Sequence, residues 1–343
     1  MSTKVKRLFK RLISWAGVFF FIVAAGMLYW QLRKYSLHEI FYALWDIPFI
    51  NLVYASLACL GGYIALSGYD YLALRYVGQS HKVSWWKWML AGMIGFAISN
   101  NAGHAVISGG SIRYRLYTRW RIRAGDIVKM LTFSGFTYFL GCCAIVMFGY
   151  FLIPRDLFSN SLGASIGMNG LLLFCVAALG AYFAMTILFR NKKINIGELH
   201  FQIPSTAAAF AQMLLGIFDS VMAGLVLYFC LIPFVDIPFT TFIGIFVIAQ
   251  VAGVFSQIPG GIGVFEMIFL LAMPGVENQA EIFGALLAFR IIYYVLPLIG
   301  TGILFFIYEN WLRTRMKRWL AEAKALAAKV PPLPLPKLRK SDK

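Results

Sequence analysis

Apolar residues in this chain gather into long, nearly unbroken runs divided by short polar segments, at 12–30, 49–74, 86–108, 125–153, 167–190, 205–234, 240–273 and 281–308. A helix rises about 1.5 Å per residue, so about 20 apolar residues cross the ~30 Å hydrocarbon core of a bilayer. Every run is long enough. The pattern therefore predicts an all-α, polytopic integral membrane bundle and not a soluble enzyme. The first run follows Lys4, Lys6, Arg7, Lys10 and Arg11, a start shared with signal peptides. No small-x-small cleavage site follows it and further apolar runs do, so it reads as an uncleaved anchor.

The placement of charge complicates a simple count. Eight plain crossings would put the segment Arg113–Arg123, with its five arginines, on the side opposite the basic N-terminus. That conflicts with the tendency of lysine and arginine to stay on the cytoplasmic side. The conflict disappears if the 86–108 and 240–273 runs each dip into the membrane and return. Both termini are then cytoplasmic, and only Arg33, Lys34 and Arg155 fall outside. We therefore expect about six full transmembrane helices plus two re-entrant elements, with eight spans as the alternative. A basic cytoplasmic N-terminus (1–11) and a basic cytoplasmic tail (309–343) would flank one transmembrane domain (12–308).

Non-helical backbone at membrane depth persists only where it is buried in protein or lines a wet cavity, and transporters place substrate sites at such breaks. The first expected break is Ser99-Asn100-Asn101-Ala102-Gly103-His104, running into Ser108-Gly109-Gly110. The second is Gln257-Ile258-Pro259-Gly260-Gly261-Ile262-Gly263. The bland alternative is glycine serving close helix packing.

Composition narrows the function classes. The chain is 60% hydrophobic and 13% charged with a formal net charge of +17. In a soluble protein that excess would suggest nucleic acid; here the basic residues flank apolar runs, where anionic headgroups lie, so lipid is the expected partner and nucleic acid is not. All five cysteines fall inside apolar runs, and the four histidines are scattered. There is no GxxxxGK[ST] loop and no HExxH pair, so no cofactor, no metal and no enzymatic activity are expected. Outside the membrane the longest polar stretch is 309–343, well below the ~100 residues usual for a catalytic domain.

An ionisable group at the bilayer centre costs about 2.5–3.5 kcal/mol on insertion scales, so each needs a partner or a purpose. Asp219 shares a helical face with Gln212, Gly216 and Ala223. Arg290 leads a stripe with Tyr293, Tyr294 and Pro297, Glu266 follows the Pro-Gly-Gly break, and Asp70 lies near the end of the second run. Gln250, Gly253 and Gln257 share one face of their helix. Arg290 could close an internal salt bridge with Asp219 or Glu266. Alternatively, these groups line a polar mid-membrane cavity in which a guanidinium holds a phosphate. Arg113 and Arg115 abut the first break within an arginine- and aromatic-rich segment suited to lipid phosphates, and Arg119, Arg121 and Arg123 read equally as topogenic charge.

Three segments carry a family resemblance: Ser108-Gly-Gly-Ser-Ile-Arg-Tyr-Arg-Leu-Tyr117, Ile258-Pro-Gly-Gly-Ile-Gly-Val-Phe-Glu266 and Phe289-Arg-Ile-Ile-Tyr-Tyr-Val-Leu-Pro297. Over about residues 10–310 the chain resembles the transmembrane flippase region of lysylphosphatidylglycerol synthases, the multiple peptide resistance factors, in a short stand-alone form. Gly68-Tyr-Asp-Tyr-Leu72 looks like the family's membrane aspartate motif. The resemblance implies translocation of aminoacylated phosphatidylglycerol or a related lipid between leaflets of a bacterial inner membrane, with Asp70, Arg113, Glu266 and Arg290 as polar cavity residues. Two departures are visible. No soluble aminoacyl-transfer domain follows, and Trp120-Arg121-Ile122 stands where the family more often has a small, uncharged turn.

The expected partners are thus the membrane, an anionic or aminoacylated phospholipid, a second copy in a homodimer, and a separate lipid-synthesis enzyme. Two alternatives to a flippase remain open: a membrane-embedded lipid-modifying enzyme using Asp219 or Glu266, and a scaffold acting through the basic tail.

Overall fold

The computed structural model describes residues 37–102, 105–152, 162–190, 192–196, 199–256, 258–272 and 279–329. The 12–30 run, Gly103, His104, Gln257 and the tail beyond 329 lie outside the described residues. The described residues are almost wholly helical. A short helix α1 (Leu37–Trp45) precedes the long α2 (Phe49–Tyr76), and α3 (Trp85–Ala102) and α4 (Ala105–Arg119) form a hairpin. Helices α5 (Ala124–Leu152) and α6 (Leu162–Leu188) follow, then a β-hairpin in which β1 (Lys193–Ile196) pairs antiparallel with β2 (Leu199–Gln202). After α7 (Thr206–Leu231) come α8 (Phe239–Phe255), a 3-10 turn (Pro259–Gly261) and α9 (Val264–Ala272). Helix α10 (Gln279–Arg290) passes through a π-helical turn (Ile291–Val295) into α11 (Leu296–Lys329).

Among the described residues, five helical stretches are long and apolar enough to cross a bilayer: Phe49–Tyr76, Ala124–Phe151, Asn169–Leu188, Thr206–Leu231 and Ala280–Glu322. The protein is a multi-pass α-helical membrane protein. Two compact units divide the chain, residues 1–299 and 300–343. In the second, the described part is one continuous helical segment whose Arg313, Arg315, Lys317 and Arg318 are exposed, with Arg315 over the Trp311 ring.

The first unit is built around α7, which packs along α2 and α5. Its buried face runs through Ala209, Gln212, Gly216, Asp219, Ser220, Ala223, Val226 and Leu227. Glycine makes the α5–α7 crossing close: a Cβ on Gly141 would overlap the backbone of Gly216, so only hydrogen fits there. One turn away Gln212 donates to the Phe133 carbonyl and the Thr137 hydroxyl, both at 3.1 Å, and accepts from Tyr182 at 2.6 Å. The Gln212–Gly216 end of the polar face is therefore a packing seam.

Both segments expected to dip and return fold back on themselves as helical hairpins. At the mouth of the α3/α4 hairpin the Lys87 ammonium lies 5.7 Å from the Trp120 ring centroid, so entry and exit are neighbours. The limbs approach where Gly109 meets the Gly95 carbonyl and the Ser99 side chain. In the second hairpin, aromatic pairs Phe242–Phe269 (5.5 Å) and Phe246–Phe265 (5.6 Å) run antiparallel toward the turn, where Gly253 packs on Gly261. At ~1.5 Å per residue α4 and α9 reach only about 22 and 14 Å, short of a ~30 Å core.

A hydrogen bond joins the two ends that flank this stretch. The Tyr76 hydroxyl, at the end of α2, donates to the Gln202 carbonyl of β2 at 2.6 Å. Three plain crossings between them would place these residues on opposite membrane faces; α5 and α6 alone, with the first hairpin returning, place them on one.

Two helix ends of the first unit share a motif. After α2 the Gln79 amide reaches back to the Leu74 carbonyl and the Gly78 amide to Arg75; after α4 Ile122 reaches Tyr117 and Arg121 reaches Thr118. This Schellman arrangement needs a left-handed residue in the middle. Gly78 supplies it at φ 71°, whereas the second turn uses Arg121 at φ 61°. That geometry favours glycine at this turn and makes Arg121 a strained occupant.

Candidate functional site

Each re-entrant hairpin is tied to a longer helix by one arginine–carboxylate pair. In the first, Arg113 of α4 donates through Nε to both carboxylate oxygens of Asp70 on α2, at 2.9 and 3.1 Å. The Tyr117 hydroxyl, one turn along α4, donates to the same carboxylate at 2.9 Å. The guanidinium lies 4.1 Å from the Phe96 centroid, and a Cβ on Gly95 would come within 2.7 Å of it. That pair is sealed, with side-chain exposures of 5% and 2%. Arg113 is thus an interior residue and not the interfacial lipid clamp that its sequence neighbourhood suggested.

The second pair is organised by the break itself. Gly260, Gly261 and Gly263 adopt positive φ (61°, 63° and 88°), a backbone that side chains resist, and the turn they form aims backbone polar groups inward. Arg290, the last residue of α10, donates to Glu266 Oε1 through Nε at 2.8 Å and Nη2 at 2.5 Å, while Nη1 donates to the Gly260 carbonyl. Glu266 Oε2 accepts the Gly263 amide at 2.7 Å. One arginine and one glutamate thereby satisfy a broken backbone that lipid could not. The Tyr294 ring, 5.0 Å from the guanidinium carbon, covers one face. Side-chain exposure is 16% for Arg290 and 9% for Glu266, so this pair is the more open of the two.

The tips of the two hairpins meet here. A Cβ on Gly260 would lie 3.0 Å from Arg290 Nη1 and 3.8 Å from the Asn100 carbonyl. Asn101 caps its own helix through the Ala97 carbonyl (2.8 Å) and reaches the Tyr294 carbonyl in the π turn (3.3 Å). A π turn widens the helix and turns carbonyls outward, often at functional sites. Here three consecutive carbonyls take side-chain donors: Ile292 from the Cys59 thiol (3.2 Å), Tyr293 from the Tyr63 hydroxyl (3.3 Å) and Tyr294 from Asn101. The π turn is the feature that sequence inspection missed; Pro297, two residues beyond it, was the available signal, because it removes a helical amide.

Other expected site residues fall elsewhere. Arg115 is exposed, two residues and hence about 200° around α4 from Arg113. Gly109 and Gly110 lie inside α4 and not at the chain reversal; they pack against Gly95 and Leu131 respectively. Tyr293 is buried and stacks on Phe289 (5.5 Å), while Gln257 lies outside the described residues. Asp219 pairs with neither arginine: its hydrogen bond comes from the Tyr69 hydroxyl at 3.0 Å. The string Gly163-Ala164-Ser165-Ile166-Gly167 has the spacing of a hydrolase nucleophile elbow, but it sits within helix α6, where the required strand-to-helix turn at the serine does not exist.

This combination of paired re-entrant hairpins and interior arginine–carboxylate pairs defines a polytopic membrane protein with a polar interior site. Comparison with known proteins gives the family: residues 14–300 match the model described as the lysylphosphatidylglycerol synthase TM region, and the chain belongs to that family. It is 32% identical over 284 residues to the uncharacterized protein slr0712 of Synechocystis sp., covering 82% of this chain and 87% of that protein. It is 27% identical over 309 residues to the inner membrane protein YbhN of Escherichia coli, covering 89% and 93%. A phosphatidylglycerol lysyltransferase of Staphylococcus xylosus is 38% identical over 95 residues, 25% of this chain and 11% of that protein. Membership places the chain among proteins of membrane lipid chemistry.

Proposed function

We propose that the protein moves a phospholipid between the leaflets of a bacterial inner membrane, with both termini cytoplasmic and no bond made or broken. The observation that carries this reading is the meeting of the two hairpin tips at Arg290, where a partly open guanidinium is held by a carboxylate and a backbone carbonyl. A lipid phosphate is bidentate, like a carboxylate, and can replace Glu266 on the same fork. Glu266, so released, is placed to receive an ammonium, which suits the aminoacylated forms of phosphatidylglycerol. Family membership and the lysyltransferase relatives point to the same lipids. Any driving force comes from a gradient, lipid asymmetry or a partner.

The test is leaflet exchange of a fluorescent or aminoacylated phosphatidylglycerol in liposomes holding the purified protein. Exchange well above the protein-free rate, lost in folded Arg290→Ala, is the expected result. Exchange at the protein-free rate across a panel of anionic, zwitterionic and aminoacylated lipids would overturn the proposal.

A further inference from the structure

Asp219 is the one interior carboxylate of the first unit described above that neither arginine holds. It is 3% exposed, and while Oδ2 accepts from Tyr69, Oδ1 is buried without a hydrogen-bond partner among the described residues. So are the Ser220 hydroxyl, next in sequence, and the Tyr138 hydroxyl on α5. Tyr138 and Cys142, one turn apart on α5, both lie within electrostatic reach of Asp219, and the Cys142 thiol lies beside the Tyr138 and Ser220 hydroxyls.

The groups within electrostatic reach of Asp219 are otherwise uncharged. From α2 they are Tyr63 and Tyr69, from α5 Tyr138 and Cys142, and from the π turn Tyr293. Of the other helices packed on α7, α10 carries Glu281 and Arg290, the latter committed to Glu266 and Gly260; α6 carries Cys175 and Tyr182, the latter bonded to Gln212; α8 has no titratable residue. A buried carboxylate with no counter-cation is costly, and neutralisation by a proton is the usual escape. A proton on Oδ1 removes the uncompensated charge while Oδ2 keeps its hydrogen bond from Tyr69.

We propose that Asp219 is a proton-binding site whose loading and unloading is coupled to lipid movement, an inference that rests on the transport reading above. One proton from water adds to the Asp219 carboxylate to give the acid, and returns to water on the other side of the cycle; no other bond changes. A hard metal cation is a poorer occupant, because such ions take about six oxygen ligands and avoid sulfur, whereas this pocket offers few free oxygens beside a thiol. Contact with the lipid site runs through the π turn. Tyr63 and Tyr293, which both lie within electrostatic reach of Asp219, meet ring to ring at 5.9 Å, and the Tyr63 hydroxyl bonds the Tyr293 carbonyl inside the π turn. Arg290 is the residue immediately before that turn.

Two measurements test it separately. Infrared difference spectra of the purified protein, recorded across a pH titration, should contain a protonated-carboxyl band that disappears in Asp219→Asn and shifts its titration in Tyr138→Phe. This readout needs no lipid movement, and Tyr138→Phe carries it if Asp219→Asn does not fold. Absence of any band assignable to Asp219 overturns the proton site and leaves the transport reading standing. In liposomes, an imposed pH gradient should change wild-type exchange several-fold, with the ratio of rates with and without the gradient falling to about one in Asp219→Asn. A wild-type ratio of one despite a titrating band, or a response to a sodium gradient in place of the proton gradient, overturns the coupling. Exchange at the protein-free rate under every condition overturns it together with the transport reading.

Discussion

The two re-entrant hairpins solve one problem with opposite polarity. In the α3/α4 hairpin the arginine sits on the hairpin and the acid on the long helix, as Arg113–Asp70; in the α8/α9 hairpin the acid is on the hairpin and the arginine on the helix, as Glu266–Arg290. The first pair joins intact helices and is closed over by Phe96, Gly95 and Tyr117. The second completes a broken backbone, donating to the Gly260 carbonyl and accepting from the Gly263 amide, and it keeps more exposure. A sealed pair holds position; a pair that shares its arginine with a free carbonyl can exchange partners. On the transport reading proposed above, the first hairpin anchors and the second exchanges ligand.

The largest effect that can break this contrast is on transport. Arg290→Lys keeps the charge but loses the planar fork, and leaflet exchange should fall at least tenfold with the thermal midpoint little changed, because a lysine cannot hold Glu266 and a phosphate in the same geometry. Equal exchange in the lysine variant would remove the bidentate argument. Next comes stability. Asp70→Ala leaves the Arg113 charge buried and unpaired, which should cost about 3–5 kcal/mol, read as a lowered unfolding midpoint in mild detergent. Tyr117→Phe removes one hydrogen bond to the same carboxylate and should cost only about 1 kcal/mol. If the two were equal, the pair would not be the anchor.

Smaller than the loss in Asp70→Ala is that in Gly260→Ala, which forces a side chain into left-handed backbone at φ 61° and toward Arg290; about 1–2 kcal/mol of destabilisation is expected in the same unfolding measurement. The smallest effect should be a gain. Arg121→Gly relieves the left-handed arginine after α4, and about 1 kcal/mol of added stability is expected, which an unchanged or lowered midpoint would contradict.

Much of this architecture was legible in the chain. Runs of apolar residues give helices because a lipid-facing backbone must bond to itself, and the arginines of 113–123 required the first hairpin to return. The Pro259-Gly260-Gly261 break was visible because few residues other than glycine accept its backbone. Partner choice was not. Asp70 stands five residues before Arg75, yet it bonds Arg113, because α4 folds back along α3 and delivers Arg113 to the face of α2; nothing local encodes that. Likewise Arg290 had Asp219 and Glu266 as candidate acids, and the left-handed turn that swings Glu266 into reach decides between them. Gly109-Gly110 looked like part of a break because glycine interrupts helices in water, whereas in a membrane it more often lets two helices touch.

The most direct test of the meeting point between the hairpins is labelling with a phosphatidylglycerol that carries a photoreactive group on its headgroup, followed by peptide mapping. Label in the segments 256–266 and 286–297, diminished by excess unmodified lipid and by Arg290→Ala, is the expected result. Label confined to the outward faces of α5 and α6, unaffected by Arg290→Ala, would show that the headgroup never reaches the hairpin tips.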